Sequence, residues 1–87
     1  MELNNAINDL RAFIRENFKV PADDSDFNDD VHLFDYGYID SFGAVELTTF
    51  VQSHFGVTVK DSDLISYPLN TIRQIAEFIV KREKGEI

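Results

Sequence analysis

Apolar residues recur at three- and four-residue steps at the start of the chain, at Leu3, Ala6, Ile7, Leu10, Phe13 and Ile14, while Asp9, Arg11, Arg15 and Glu16 fall between them. That period predicts an amphipathic helix ending near Phe18, before Pro21. A polar connection follows from Lys19 to about Asp40, rich in Asp, Asn and Ser and punctuated by Pro21 and Gly37. Unstructured connections of this length are uncommon in compact domains and often carry function. Val31, Leu33, Phe34, Tyr36, Tyr38 and Ile39 are expected to fold its second half back over the core.

The helical period resumes at Phe42, Val45, Leu47, Phe50, Val51 and Phe55, with Asp40 or Ser41 as N-cap, Gly56 as terminator and Gly43 as a weak helix former in the first turn. Val57, Thr58 and Val59 have the composition of a strand but no partner, so they are expected to be a connector that plugs the core. Asp61 or Ser62 is a cap for a short helix carrying Leu64 and Ile65 and stopped before Pro68. Asn70 or Thr71 starts a last helix, with Ile72, Ile75, Ala76 and Ile79 inward and Lys81, Arg82 and Lys84 at its end, where the helix dipole favours cations. The expected fold is all-α: a four-helix bundle with three long helices, one short helix and a long first loop, built by residues 1–87 as one domain. Phe42, Val45, Leu47, Phe50, Val51, Ile65, Ile72, Ile75 and Ala76 are its expected core, some of them also lining a slot for cargo.

Composition narrows the function. The chain is 44% hydrophobic and 28% charged, as a folded globule is, and its 87 residues leave no room for a deep enzyme cleft. Sixteen acidic against eight basic residues give a net charge of −8, which disfavours nucleic acid and anionic membranes and favours basic protein partners. The imbalance is local, because Val20 to Val59 contains no Lys or Arg but holds Asp23, Asp24, Asp26, Asp29, Asp30, Asp35, Asp40 and Glu46. Cysteine is absent, no run is long enough to span a membrane, and no signal-peptide pattern opens the chain, so a cytoplasmic protein is expected.

No set of residues looks catalytic. His32 and His54 lie in different elements without a serine or cysteine beside them, and His54 reads as a surface partner of a helix C-terminus. The alternation Asp24, Asp26, Asn28, Asp30 has an EF-hand rhythm, but Asp29 stands where the loop needs glycine, Asp35 where it needs glutamate, and no exit helix follows. A solvated loop is the simpler account. Ser41 is different in kind: it puts a primary hydroxyl at a helix N-terminus, after an acid and before an apolar side chain, where free amides and the helix dipole suit an attached phosphate. A serine there is ordinarily only a cap, so the physics makes a modification site possible without identifying one.

The run Asp40-Ser41-Phe42, preceded by Leu33-Phe34 and Gly37 and followed by Val45-Glu46-Leu47, Phe55-Gly56-Val57 and Asn70-Thr71-Ile72, resembles the acyl carrier protein family over nearly the whole chain. The resemblance implies a non-enzymatic carrier with 4′-phosphopantetheine covalently attached at Ser41, its thiol holding an acyl, hydroxyacyl or aminoacyl group as a thioester. It makes Asp40 the acidic neighbour that helps a phosphopantetheinyl transferase place its magnesium-bound coenzyme A. Phe42, Glu46 and Asp35 become partner-recognition residues. The implied partners are that transferase, an acyl- or aminoacyl-activating ligase or acyltransferase, and a downstream synthase or transferase, all met by a monomer. Phe42 replaces the family's usual leucine, and Gln52, Ser53 and His54 stand where fatty-acid carriers commonly place acids. The likeness is therefore to stand-alone carriers of lipid, polyketide or other specialised pathways, with D-alanyl carriers as the neighbouring subtype. A rival of another class is an unmodified acidic helical module, calcium-responsive through its loop, that binds a basic protein.

Overall fold

The structure is a computed structural model and describes residues 1–87. Four helices follow in order: α1 (Leu3–Asn17), α2 (Ser41–Phe55), α3 (Asp61–Ser66) and α4 (Ile72–Glu83). They form the expected all-helical bundle, and no helix is long and apolar enough to cross a membrane.

The apolar stripe of α1 buries Ala6, Ile7, Leu10 and Ile14, and α4 answers it with Ile72, Ile75, Ala76, Phe78 and Ile79. These two helices pack most closely against each other. Thr71 caps α4 by accepting from the Gln74 amide while Gln74 reaches back to the Thr71 amide, a reciprocal pair that decides the start between Asn70 and Thr71. Gly56, in the left-handed region at φ 69°, ends α2 as its sequence implies. At α3 the expected caps are corrected: Asp61 is already the first helical residue, Ser62 lies inside, and the Asp63 carboxylate accepts from the Lys60 amide at 2.8 Å. A carboxylate three residues in thus replaces a cap side chain at the start.

The long loop is tied to the bundle at many points. Val20, Phe27, Val31, Leu33 and Ile39 are buried, and Phe34 and Tyr38 pack partly, whereas Tyr36 stands exposed. The Leu33 amide donates to Asn70 O and the Arg73 amide to Asp29 O, which joins the loop to the start of α4. Arg11 of α1 grips Asp29 with hydrogen bonds of 2.7, 2.8 and 3.2 Å, and Arg73 of α4 donates to Asp30 at 2.7 Å. That pairing holds the Asp30 carboxyl below its usual value. Asp24 accepts from Tyr38 Oη and the Asp26 amide, and Asn28 from the Asp30 amide. The alternating side chains therefore serve turns and arginines and do not converge on one centre. Val57 plugs the core beyond α2 as expected.

Candidate functional site

The first turn of α2 is fixed from both sides. Ile39, just before it, is almost wholly buried, and Gly43, inside it, faces the core. A Cβ built on Gly43 would lie 2.6 Å from Phe18 Cε1 and 2.9 Å from Ile39 Cγ2. Gly43 is therefore a close-approach position, not merely a weak helix former as its sequence context suggests. With Ile39 and Gly43 both held inward, the residues between them turn outward: Asp40, Ser41 and Phe42 are exposed.

Asp40 is the N-cap, which decides between the two candidates. Its backbone is extended, its Oδ1 accepts from the Gly43 amide at 2.8 Å, and its carbonyl accepts from the Ala44 amide at 2.9 Å. The amides of Ser41 and Phe42 are left without protein acceptors, beside a serine hydroxyl that has no side-chain partner either. A phosphodiester on Ser41 Oγ would meet these two donors at the positive end of a 15-residue helix. The residues present thus fit the attachment of 4′-phosphopantetheine.

Nothing in the chain activates that hydroxyl. His54 pairs with Asp9 across α1 and α2 at 3.0 Å and stacks on Phe50, and the His32 ring accepts from the Asp35 amide. His54 is thus a surface partner, though of Asp9 on α1 as well as of its own helix end. At Ser41 the chain itself supplies an exposed hydroxyl oxygen and a receptive helix end.

Several apolar side chains of α2 and α3 are left in solvent. Phe42 is 82% exposed, Val45 66% and, on α3, Leu64 54% and Ile65 89%. Phe42, Val45 and Ile65 are therefore not core residues, which corrects the expectation from periodicity. Leu47, Val51, Ile72, Ile75 and Ala76 do lie in the core, and Phe50 is half-buried against Phe13 at 3.9 Å between ring centroids. Glu46 and Asp35 expose their carboxylates, and no Lys or Arg lies between Val20 and Val59 to neutralise them. A groove of about 440 Å³ runs between α2 and α3, lined among others by Ala44, Val45, Thr48, Val59 and Leu64. It begins one helical turn beyond Ser41.

Two buried polar features escaped the sequence. Asp63 and Arg82 form an ion pair at 2.7 Å with side chains only 7% and 16% exposed, and the Arg82 guanidinium lies over the Phe78 ring. The Tyr38 hydroxyl is sequestered on Asp24 at 2.8 Å. Asp63 and Arg82 lie 19 positions apart, and no local period marks either.

The family described as "phosphopantetheine attachment site" matches residues 8–79, a stretch that includes the whole first turn of α2. Among curated proteins, the "D-alanyl carrier protein" of Bacillus velezensis is 37% identical over 54 residues, which is 58% of this chain and 69% of that protein. The one from Bacillus licheniformis is 41% identical over the same extent. That of Streptococcus mutans is 41% identical over 52 residues, covering 60% of this chain and 66% of its own length.

Proposed function

This chain belongs to the phosphopantetheine attachment-site family and is a non-catalytic carrier with covalently attached 4′-phosphopantetheine, and we propose that Ser41 is the residue that holds it. The observation that carries the assignment is the first turn of α2, where a buried Ile39 and Gly43 leave the Ser41 hydroxyl exposed beside two unpartnered amides. Asp40 holds that turn through Gly43 and keeps an acidic group next to the hydroxyl for the modifying transferase. When bound, the group supplies a thiol on a long tether, to which cargo is joined as a thioester.

The cargo we assign is an aminoacyl group of the D-alanyl kind, in preference to a fatty or polyketide acyl chain. The names of the similar proteins support this, as does an α2 whose only acid is Glu46 and which carries Gln52, Ser53 and His54 in its last turns. The partners are then a phosphopantetheinyl transferase, an amino-acid-activating ligase and a downstream transferase. They read Phe42 by apolar contact and Glu46 and Asp35 by charge. Residues 1–87 act as one monomeric carrier domain in the cytoplasm, where coenzyme A and activated cargo are made. Tethering raises the cargo's effective concentration at each partner, while charge-steered contacts keep exchange fast.

The test is intact-protein mass spectrometry after incubation with coenzyme A, magnesium and a broad-specificity phosphopantetheinyl transferase, followed by peptide mapping. A gain of one phosphopantetheine on the Ser41 peptide, abolished in Ser41→Ala with unchanged circular dichroism, is expected. Modification elsewhere, or none beside a working control carrier, would overturn the assignment and favour the unmodified interaction module. Adding a D-alanine-activating ligase with ATP then tests the cargo. Loading with D-alanine is expected, and loading only by a fatty-acyl or malonyl donor would replace the aminoacyl reading by the acyl one.

A further inference from the structure

A six-residue helix is too short to hold itself together, so something in the tertiary structure must fasten α3. Its apolar residues do not: Leu64 and Ile65 face solvent, and the one buried residue of the helix is Asp63. Two hollows of about 440 and 530 Å³ border α3 and share Phe34, Leu64 and Leu69 in their walls. Packing therefore contributes little to its position.

The Asp63 carboxylate makes two attachments at once. One oxygen accepts from the Lys60 amide at 2.8 Å and starts the helix; the other accepts from Arg82 Nη2 at 2.7 Å and joins it to the last turn of α4. These partners hold the Asp63 carboxyl below its usual value, the Lys60 amide most and Arg82 next. Arg82 is itself confined over Phe78, whose ring packs against Tyr67 at the end of α3, and its Nε is buried without a partner. That lone N–H marks a guanidinium oriented by one specific acceptor instead of by a network.

We propose that Asp63 and Arg82 form the latch that sets the position of α3, and through it the width of the groove beside Ser41, making them positioning residues for whatever the groove admits. The consequence for cargo rests on the carrier reading, but the latch does not. Removing either partner strands the other in a mostly buried place, so the effect concentrates where the pair sits. α1 and the core-facing side of α4 keep their apolar contacts and should not respond.

Amide hydrogen exchange on the unmodified full chain tests this without any step at Ser41. In Asp63→Asn, whose amide oxygen can still accept from Lys60, exchange at Ile65 to Tyr67 is expected to rise about tenfold or more, and likewise in Arg82→Gln. The double variant should be no faster than the worse single, because the two act through each other. Arg82→Lys, which keeps the charge, should recover part of the protection. Methyl resonances of Leu64 and Val59, both in the groove wall, should shift while those of Leu10 and Ile79 stay. The latch is overturned if the Ile65 to Tyr67 amides exchange at the unprotected rate in the unaltered chain. It is equally overturned if the singles leave α3 unchanged, or if α1 and α4 accelerate with it. None of these results bears on whether Ser41 is modified, which the mass measurement decides separately.

Discussion

Along α1 and α4 the apolar period and the buried residues coincide, from Ala6, Ile7, Leu10 and Ile14 to Ile72, Ile75, Ala76, Phe78 and Ile79. Along α2 and α3 they part: Leu47, Val51 and Phe55 go inward, while Phe42, Val45, Leu64 and Ile65 remain in solvent. The long loop sides with the first half, since Arg11, Arg15 and Arg73, which hold it, stand on α1 and α4. One half uses its hydrophobic residues for stability, and the other leaves several of its own in solvent. Exposed apolar groups are what a transient protein contact needs, and a core has no use for them.

The largest effect that could break this contrast is in the core. Leu10→Ala or Ile79→Ala, each removing a side chain with no exposure, should cost about 2–5 kcal/mol in chemical denaturation, while Ile65→Ala should stay within about 0.5 kcal/mol. If Ile65→Ala were as costly as the core variants, α3 would belong to the stable half after all.

Gly43→Ala comes next. Alanine is the better helix former by about 1 kcal/mol, so propensity predicts a gain. The close approaches of Phe18 and Ile39 predict a net loss of about 1–3 kcal/mol instead, read as a lower denaturation midpoint. A stabilised Gly43→Ala would mean that Phe18 moves aside freely and that the outward turn of Ser41 does not depend on this contact.

What was legible in the sequence follows the same division. Where apolar residues meet another helix, as in α1 and α4, period identifies the helix and most of its core, missing the buried Phe78 and including the exposed Leu3. Gly56 and Thr71 announce helix ends because their chemistry is local. The proposal of Ser41 rests in the sequence on its neighbours, Asp40 and the Leu33-to-Leu47 run, as a resemblance and not as a period. The illegible parts are those that depend on distant partners. Phe42, Val45 and Ile65 obey a helical period yet face no neighbour, and nothing within their own helices says so. The contact that makes Gly43 necessary comes from Phe18, just past the end of α1, and the ion pairs Arg11–Asp29 and Asp63–Arg82 join residues 18 and 19 positions apart.

A smaller effect on stability, with a larger one on function, is expected of Phe42→Ala. At 82% exposure its ring contributes little to the fold, so the denaturation free energy should change by less than about 0.5 kcal/mol. Transfer of phosphopantetheine to the chain should nonetheless slow about tenfold in kcat/KM, the scale of losing one well-packed interface anchor. Steady-state loading assays on both proteins separate the two. An unchanged kcat/KM would remove Phe42 from the recognition surface and leave Glu46 and Asp35 as its remaining candidates.

The smallest effect concerns the loop that joins the two halves. Tyr38 donates its hydroxyl to Asp24 at 2.8 Å beside the edge of Phe27, and burial, reinforced by the Asp24 carboxylate, pushes its phenol from 10.0 up to about 12. Because the folded value is raised, the hydrogen bond stabilises the protein fully below about pH 10 and is lost as pH climbs through about 12. An ultraviolet titration of tyrosinate should contain one component centred near about 12 that Tyr38→Phe removes. Amide exchange near Asp24 and Phe27 should loosen over that range. The acceleration should stop short of α3, because Asp24 and Tyr38 lie on the part of the molecule that Arg11 and Arg73 hold. Loosening that reached α3 at the same pH would mean that the two halves are mechanically one, and that the contrast between them is only one of surface composition.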